Sequence, residues 1–280
     1  MNILEAINEA TKKLKKNHIS TAKLDSEILL SKVLRKERKY IILNSYKELK
    51  KEYFLKFNRL VVKRSLGKPI AYLTGKKDFW KYEFNVSEAT LIPRPDTEIL
   101  IDHIIKNTKQ KSKLKVLDIG TGSGCIILSI LKEKKDFYGT GIDISKKCIE
   151  ISKINASKLN LSSRVKFFKS NVDNFFYGKY DLIISNPPYI KKLDLKYLER
   201  DVIDFEPKLA LDGGLEGISE IRKVINKSSE LIKKNGKLIL EIGFDHKHKV
   251  KKLLKDKGFY INKVLKDYAH NDRCIVSTKI

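Results

Sequence analysis

Cysteine is scarce, with three in 280 residues. Cys125, Cys148 and Cys274 show no metal-ligand spacing, and their odd number and scatter point to reduced thiols in a cytoplasmic chain. The five histidines (His18, His103, His246, His248 and His270) form no ligand pattern either. His246 and His248, two apart, read as the exposed start of a helix. No apolar run reaches the roughly 18 residues of a membrane span. Glu5 and Glu9 argue against a signal peptide. Acids are in deficit, 34 against 59 basic residues, for a net charge of +25. Such a surplus favours an anionic partner such as RNA. Against that, it is mostly Lys scattered among Ile and Asn, as codon bias would produce. Nor do the Lys runs interleave with aromatics as a stacking groove would. A specific nucleic-acid partner is therefore not expected. The 41% of hydrophobic residues is enough for a core, in one large domain or a small plus a medium one.

Two motifs carry chemistry. Tyr180-Asp181-Leu182-Ile183-Ile184-Ser185 reads as a buried strand running into Asn186-Pro187-Pro188-Tyr189. The Asn side-chain carbonyl and the first Pro carbonyl can accept from a planar NH2 group. The prolines fix the backbone and remove N–H donors, and the Tyr ring can lie against a flat substrate. Asn-Pro also opens ordinary turns, so the motif gains weight from what precedes it. Lys115–Ile119 reads as a strand, Gly120-Thr121-Gly122-Ser123-Gly124 as a loop, and Cys125–Leu131 as a buried helix. The pyrophosphate fingerprint is not met, because Cys125 stands where its third glycine belongs. Nineteen residues after Gly124, Asp143 closes a second strand, where an acid can meet ribose hydroxyls. S-adenosylmethionine (SAM) has a ribose and no phosphate, so it fits a glycine loop that lacks Lys or Arg. Loop, acid and Asn-Pro-Pro-Tyr in this order imply a SAM-dependent methyltransferase acting on a planar amine. All three follow strands directly, so they should face one crevice at the carboxyl edge of a sheet.

The rest of the chain reads as follows. Ile3, Leu4, Ile7, Ala10 and Leu14 recur at helical spacing, and further helices are expected near 22–35 and 48–66. Residues 78–90 read as a β-hairpin, and Pro93 to Glu98 as the approach to a helix. Strands are expected near 115–119, 138–143, 165–168, 180–185, 237–242, 259–265 and 274–279. Helices alternate with them near 124–134, 145–158, 216–234 and 246–257. This is an α/β chain. Its seven-stranded Rossmann-like methyltransferase sheet, closing on an antiparallel last pair, spans 99–280. A helical bundle over 1–75 and a hairpin linker over 76–98 precede it.

Several segments together resemble one family, the bacterial peptide-chain release factor glutamine methyltransferases (the PrmC or HemK family). They are Gly67-Lys68-Pro69-Ile70-Ala71-Tyr72-Leu73-Thr74-Gly75, Phe79-Trp80, and Ala89-Thr90-Leu91-Ile92-Pro93-Arg94-Pro95-Asp96-Thr97-Glu98. The glycine loop, Asp143 and Asn186 to Tyr189 continue the match. Phe205-Glu206-Pro207, Ala210-Leu211-Asp212-Gly213-Gly214 and Asn271-Asp272-Arg273 complete it over roughly residues 20–280. The resemblance implies methylation of the side-chain amide nitrogen (N5) of the Gln in the Gly-Gly-Gln loop of class I release factors. It implies a helical N-terminal domain that helps to hold the release factor. It assigns SAM contacts to Gly120, Thr121, Gly122, Ser123, Gly124 and Asp143, with Asn186 beside them. Asn186, Pro187, Pro188 and Tyr189 would hold the Gln. Asn171 and Val172 depart from the family pattern of an acid followed by a large apolar or aromatic residue. Asn171 can still accept from the adenine amine.

Some roles stay open on the sequence. Arg94 and Glu98 read either as a clasp over the pocket or as an i, i+4 surface pair. Glu206 reads as a loop anchor. Asp143 has an alternative as a helix N-cap. Two rival functions remain: an adenine-amine methyltransferase acting on a flipped base of DNA or RNA, and a non-catalytic docking module. No sequence-reading domain supports the first, and an intact loop and cradle oppose the second. A monomer is expected.

Overall fold

The computed structural model describes residues 1–108 and 113–280. They fall into two compact units, Met1–Lys76 with Glu199–Phe205, and Lys77–Leu198 with Glu206–Ile280.

The smaller unit is helical. In α1 (Ile3–Lys16), Asn2 and Glu5 cap the first turn reciprocally, and Ile3, Ala6, Ile7, Ala10 and Leu14 form the buried stripe. That stripe packs with Leu29 and Leu30 of α2 (Ala22–Leu34), Ile41 of α3 (Arg38–Leu43), and Phe57 and Val61 of α4 (Lys51–Ser65). A buried ion pair at 2.7 Å, Arg64 to Asp25, ties α4 to α2. The same guanidinium donates to the carbonyls of Gly67 and Lys68. Then α5 (Ile70–Thr74) ends on Gly75, whose left-handed backbone closes it. Periodicity anticipates α1, α2 and α4. It misses α3 and α5, which are six and five residues long and show no repeat.

The larger unit begins at Lys77, within a hairpin of β1 (Lys76–Phe79) and β2 (Tyr82–Asn85). Trp80 turns it at φ 57°. The Trp80 backbone N–H donates to Glu98 at 2.7 Å, and the Trp80 indole and Tyr82 hydroxyl both donate to Glu133. Phe79 and Phe84 enter the core beside Leu100, Ile101 and Ile127. A 3-10 turn, Pro95–Thr97, leads into α6 (Glu98–Asn107).

Next come β3 (Lys115–Ile119), α7 (Cys125–Glu133), β4 (Tyr138–Asp143), α8 (Lys146–Lys158), β5 (Val165–Lys169) and β6 (Tyr180–Ser185). The short α9 (Arg200–Phe205) groups with the smaller unit. The chain closes through α10 (Ser219–Leu231), β7 (Ile232–Glu241), α11 (Lys247–Asp256), β8 (Phe259–Lys266) and β9 (Asp272–Lys279). One seven-stranded sheet runs β5-β4-β3-β6-β7-β9-β8. It is parallel from β5 to β7, and β9 lies antiparallel between β7 and β8. This is the expected α/β architecture with its antiparallel last pair. Alternation along the strands separates two cores. Val116, Leu182 and Ile184 face α6 and α7, while Leu117, Ile183 and Leu238 face α10 and α11. The strand β7 starts at Ile232, five residues before the expected 237. Polar Lys233, Lys234 and Asn235 hide its beginning, and the register against β6 shifts there.

The order of strands reverses at β3. From there the chain steps outward to β4 and β5, then returns to lay β6 on the other side. Crossovers diverging from that point leave a crevice above the carboxyl ends of β3 and β6. No helix among the described residues is long and apolar enough to cross a membrane.

Candidate active site

The crevice collects the residues singled out by their chemistry. The glycine loop leaves the end of β3. Gly122 adopts φ 56°, and a side chain built there would meet nothing within 4 Å. Glycine serves two needs at that point: it takes the left-handed backbone, and it leaves space for a ligand against the main chain. The Gly122 N–H donates to Asp143 at 2.9 Å. The other Asp143 oxygen accepts from the Ser145 N–H at 2.8 Å. Ser145 itself caps α8, accepting from the Cys148 N–H. Asp143 is thus no helix cap. It braces the glycine loop against the β4 turn, and burial raises its carboxyl above the ordinary value. Beneath the loop, Thr121 donates to buried Asp118 at 2.7 Å. Burial pushes the Asp118 carboxyl up to about 7. Ser123 lies buried, with its carbonyl accepting from Asn155, and Gly124 begins α7 at φ 78°.

At the end of β5, Asn171 is exposed and folds an Asx turn, its side-chain carbonyl accepting from the Asp173 N–H at 3.1 Å. A carbonyl oxygen has a second lone pair, so an adenine amine could still use it. Val172 is half-buried and packs on the core beside Ile142 and Phe175.

Beyond β6, Asn186 and Tyr189 are half-buried and Pro187 is buried. Asn186 donates through Nδ2 to Thr97 Oγ1 at 3.3 Å. Thr97 donates to Glu241 at 2.7 Å, and the Tyr189 hydroxyl donates to the other Glu241 oxygen at 3.2 Å. Arg273 reaches the Tyr189 hydroxyl at 3.3 Å and pairs with Asp267 at 2.8 Å. Burial first, then the Glu241 charge, holds the Tyr189 phenol well above its usual range. Among the described residues, neither Asn186 Oδ1 nor the Pro187 carbonyl accepts a hydrogen bond. These are the two acceptors that the motif was expected to present. The next residues fix the loop from behind: the Ile190 N–H donates to Leu211, and the Gly213 N–H to Ile190. A side chain at Gly213 would come within 2.8 Å of Tyr189 Cα, so glycine alone allows this approach.

Other expectations change. Arg94 and Glu98 do not pair. Arg94 meets buried Glu206, which also accepts from the Ile92 N–H, while Glu98 accepts from the Trp80 N–H. Proline between the two residues sets a 3-10 turn, so their side chains diverge. Glu206 is the loop anchor expected of it. His246 is 2% exposed, because the chain turns inward before α11 and lays the ring between Gly217 and Gly243. His248 alone keeps the exposed position. Sequence reasoning missed Glu241 and Asp118. Each is a lone acid at the carboxyl end of an apolar strand, a signal that was available. Thr97 and Arg273 stood in the quoted segments without a role.

The loop, the space above Gly122 and the braced carboxylate suit a nucleoside ligand without phosphates, as SAM is. Comparisons with known proteins agree. Residues 5–75 match the family model for the PrmC N-terminal domain, and residues 95–267 match that for the methyltransferase small domain. The chain is 39% identical over 279 residues to the release factor glutamine methyltransferase of Buchnera aphidicola subsp. Schizaphis graminum, covering 100% of both chains. It is 36% identical over 282 residues to the protein of that name from Clostridium acetobutylicum, covering 100% of this chain and 99% of the relative. Among solved structures, the ribosomal protein L11 methylase of Lactobacillus delbrueckii subsp. bulgaricus shares the fold. Its TM-score is 0.52 at 17% identity, covering 73% of this chain and 90% of that one. On this likeness along its whole length, the chain belongs to the release factor glutamine methyltransferase family.

Proposed function

We propose that this enzyme methylates N5 of the Gln in the Gly-Gly-Gln loop of class I release factors, using SAM. The observation that carries the reading is the Asn186–Pro187 pair of open carbonyls beside the half-buried Tyr189 ring. An amide nitrogen is a poor nucleophile, because its lone pair is delocalised into the carbonyl. Asn186 Oδ1 and the Pro187 carbonyl accept its two N–H groups, hold the NH2 flat and raise electron density on nitrogen. Tyr189 lies against the carboxamide, its angle fixed by Glu241 and Arg273. Gly120 to Gly124 and Asp143 would hold the cofactor, Asp143 at its ribose, and Asn171 and Val172 would hold its adenine. When bound, SAM would supply an electrophilic sulfonium methyl group with a neutral thioether as the leaving group. The methylated nitrogen, now strongly acidic, gives up one of its protons to water, and no protein base is needed. Positioning of this kind is worth about 7–11 kcal/mol in favourable cases. The helical unit Met1–Lys76 is read as the part that helps to hold the release factor, in keeping with its family match.

The test is methyl transfer from labelled SAM to purified unmodified release factor, run beside its loop Gln→Ala variant and a DNA or RNA control. Mass spectrometry then identifies the modified peptide. Label on the loop Gln alone is the expected result. Label on nucleic acid would mean that the cradle takes an adenine amine instead.

A further inference from the structure

We infer that Glu241 is a positioning residue that sets the polarity of the acceptor cradle, acting through the Thr97 hydroxyl on the Asn186 carboxamide. The inference rests on the proposed amide substrate and deepens it.

A carboxylate can only accept. Glu241 lies 1% exposed at the end of β7, and each of its oxygens takes a proton from a hydroxyl, Thr97 at 2.7 Å and Tyr189 at 3.2 Å. Thr97 has one proton, and it is committed to Glu241. The Thr97 oxygen can then only accept from Asn186, so the Asn186 NH2 must face Thr97. Its carbonyl is left pointing the other way, open for the substrate. An asparagine amide is nearly symmetric in shape, and nothing local to Asn-Pro-Pro-Tyr decides which end faces the guest. The carboxylate decides it from two bonds away. The same carboxylate anchors Tyr189, so one buried charge orders both arms of the cradle.

Reversing the first donor reverses the chain. A neutral group at 241 that donates to Thr97 Oγ1 frees the Thr97 proton for Asn186 Oδ1. The amide then flips and presents NH2 to an NH2, while the Pro187 carbonyl still only accepts, so the cradle no longer matches a group with two donors. Protonating Glu241 has the same effect. The charged and titratable groups around it are Arg273 and Cys274 on β9, Tyr189 beyond β6 and Asp96 ahead of α6, with Asp267 behind Arg273. Burial pushes the Glu241 carboxyl up to about 7, against the pull of the Thr97 hydroxyl, Arg273 and the Tyr189 hydroxyl. The switch therefore lies within reach of ordinary assay pH.

The experiment uses the full-length protein and compares wild type with Glu241→Gln, Thr97→Val and Thr97→Ser. It measures kcat on unmodified release factor, SAM affinity, affinity for loop peptides carrying Gln or Glu, and a pH profile. The Asn186 side-chain NH2 resonances, assigned by their loss in Asn186→Ala, are followed across the same pH range. Glu241→Gln and Thr97→Val are expected to lose about 100-fold in kcat, the scale of one preorganised polar contact at a reacting group. SAM affinity should hold, and Thr97→Ser should work like wild type. Wild-type kcat should fall below about pH 7, together with a shift of the Asn186 resonances. Both changes should be absent in Glu241→Gln, which should also lose most of its preference for the Gln over the Glu peptide. If Glu241→Gln does not fold, the Thr97 pair decides. Wild-type kcat in Thr97→Val, or an acid limb that survives in Glu241→Gln, would overturn the relay. If wild type labels no release factor while the Asn186 resonances still titrate, the relay stands and the substrate reading fails.

Discussion

Replacing Asn186 by Ala separates binding the cofactor from aligning the substrate. The side chain is half-buried and makes one hydrogen bond to the protein, from Nδ2 to Thr97. Thr97 keeps its bond to Glu241 in the variant, so the buried network survives and folding should be little affected. As a single neutral hydrogen bond, the lost Asn186 carbonyl is worth about 0.5–1.5 kcal/mol. On the proposed reading its larger contribution is alignment. With the Pro187 carbonyl alone, the amide can rotate about one contact, and its nitrogen leaves the line of attack. Removing one preorganised polar group beside a reacting centre costs about 2.7–4 kcal/mol, or roughly 100- to 1000-fold in kcat. The glycine loop and Asp143 stay intact, so SAM affinity should remain near wild type. Steady-state kinetics with saturating SAM and calorimetric titration of SAM measure the two quantities separately. Should SAM affinity fall as far as kcat, or kcat stay within tenfold of wild type, the assignment of Asn186 to the substrate would be refuted.

Asp143→Ala should do the reverse. It removes the acceptor for Gly122 and Ser145 as well as any ribose contact, and bonds to a charged group are worth about 1.5–3 kcal/mol. SAM affinity should drop by roughly 10- to 100-fold, with kcat at saturation nearly unchanged, and equilibrium dialysis would reveal an unaltered affinity if this is wrong. Asp25→Ala should destabilise the helical unit by about 3–5 kcal/mol, because it strands the buried Arg64 guanidinium. A melting temperature equal to that of wild type would count against it. Asp118 predicts a pH effect. Its folded-state value is raised from 3.8 to about 7, so between those limits the folded state holds more protons than the unfolded one. Its contribution is fully present below 3.8 and is lost as pH rises through 7. Denaturant titrations should show the stability of wild type relative to Asp118→Asn declining over that window. A flat difference would place the carboxyl in an ordinary environment.

The local elements were legible because their determinants are adjacent in sequence. A five-residue apolar strand, a glycine loop and a buried helix announce themselves at β3 and α7. So do the α1 stripe and the Asn-Pro-Pro-Tyr corner, whose prolines fix the backbone wherever the corner lies. The α/β class and the antiparallel last pair followed from the alternation of strand and helix, while the order of the strands came from the structure. What stayed illegible was short, polar or distant. The five-residue α5 has no period to detect, and the polar residues at the start of β7 conceal a strand. The fates of Arg94 and His246 depended on partners elsewhere in the chain. Glu241 is 144 residues from Thr97 and 52 from Tyr189. No window of sequence holds all three.

Sequence by itself thus determined which groups could accept an amide and where a nucleoside could lie, because backbone chemistry and residue type suffice for both. Only the tertiary structure decided which way the Asn186 carboxamide faces. That choice follows from the Thr97 hydroxyl proton being committed to the Glu241 carboxylate, groups that meet Asn186 only when β6, β7 and the turn before α6 converge.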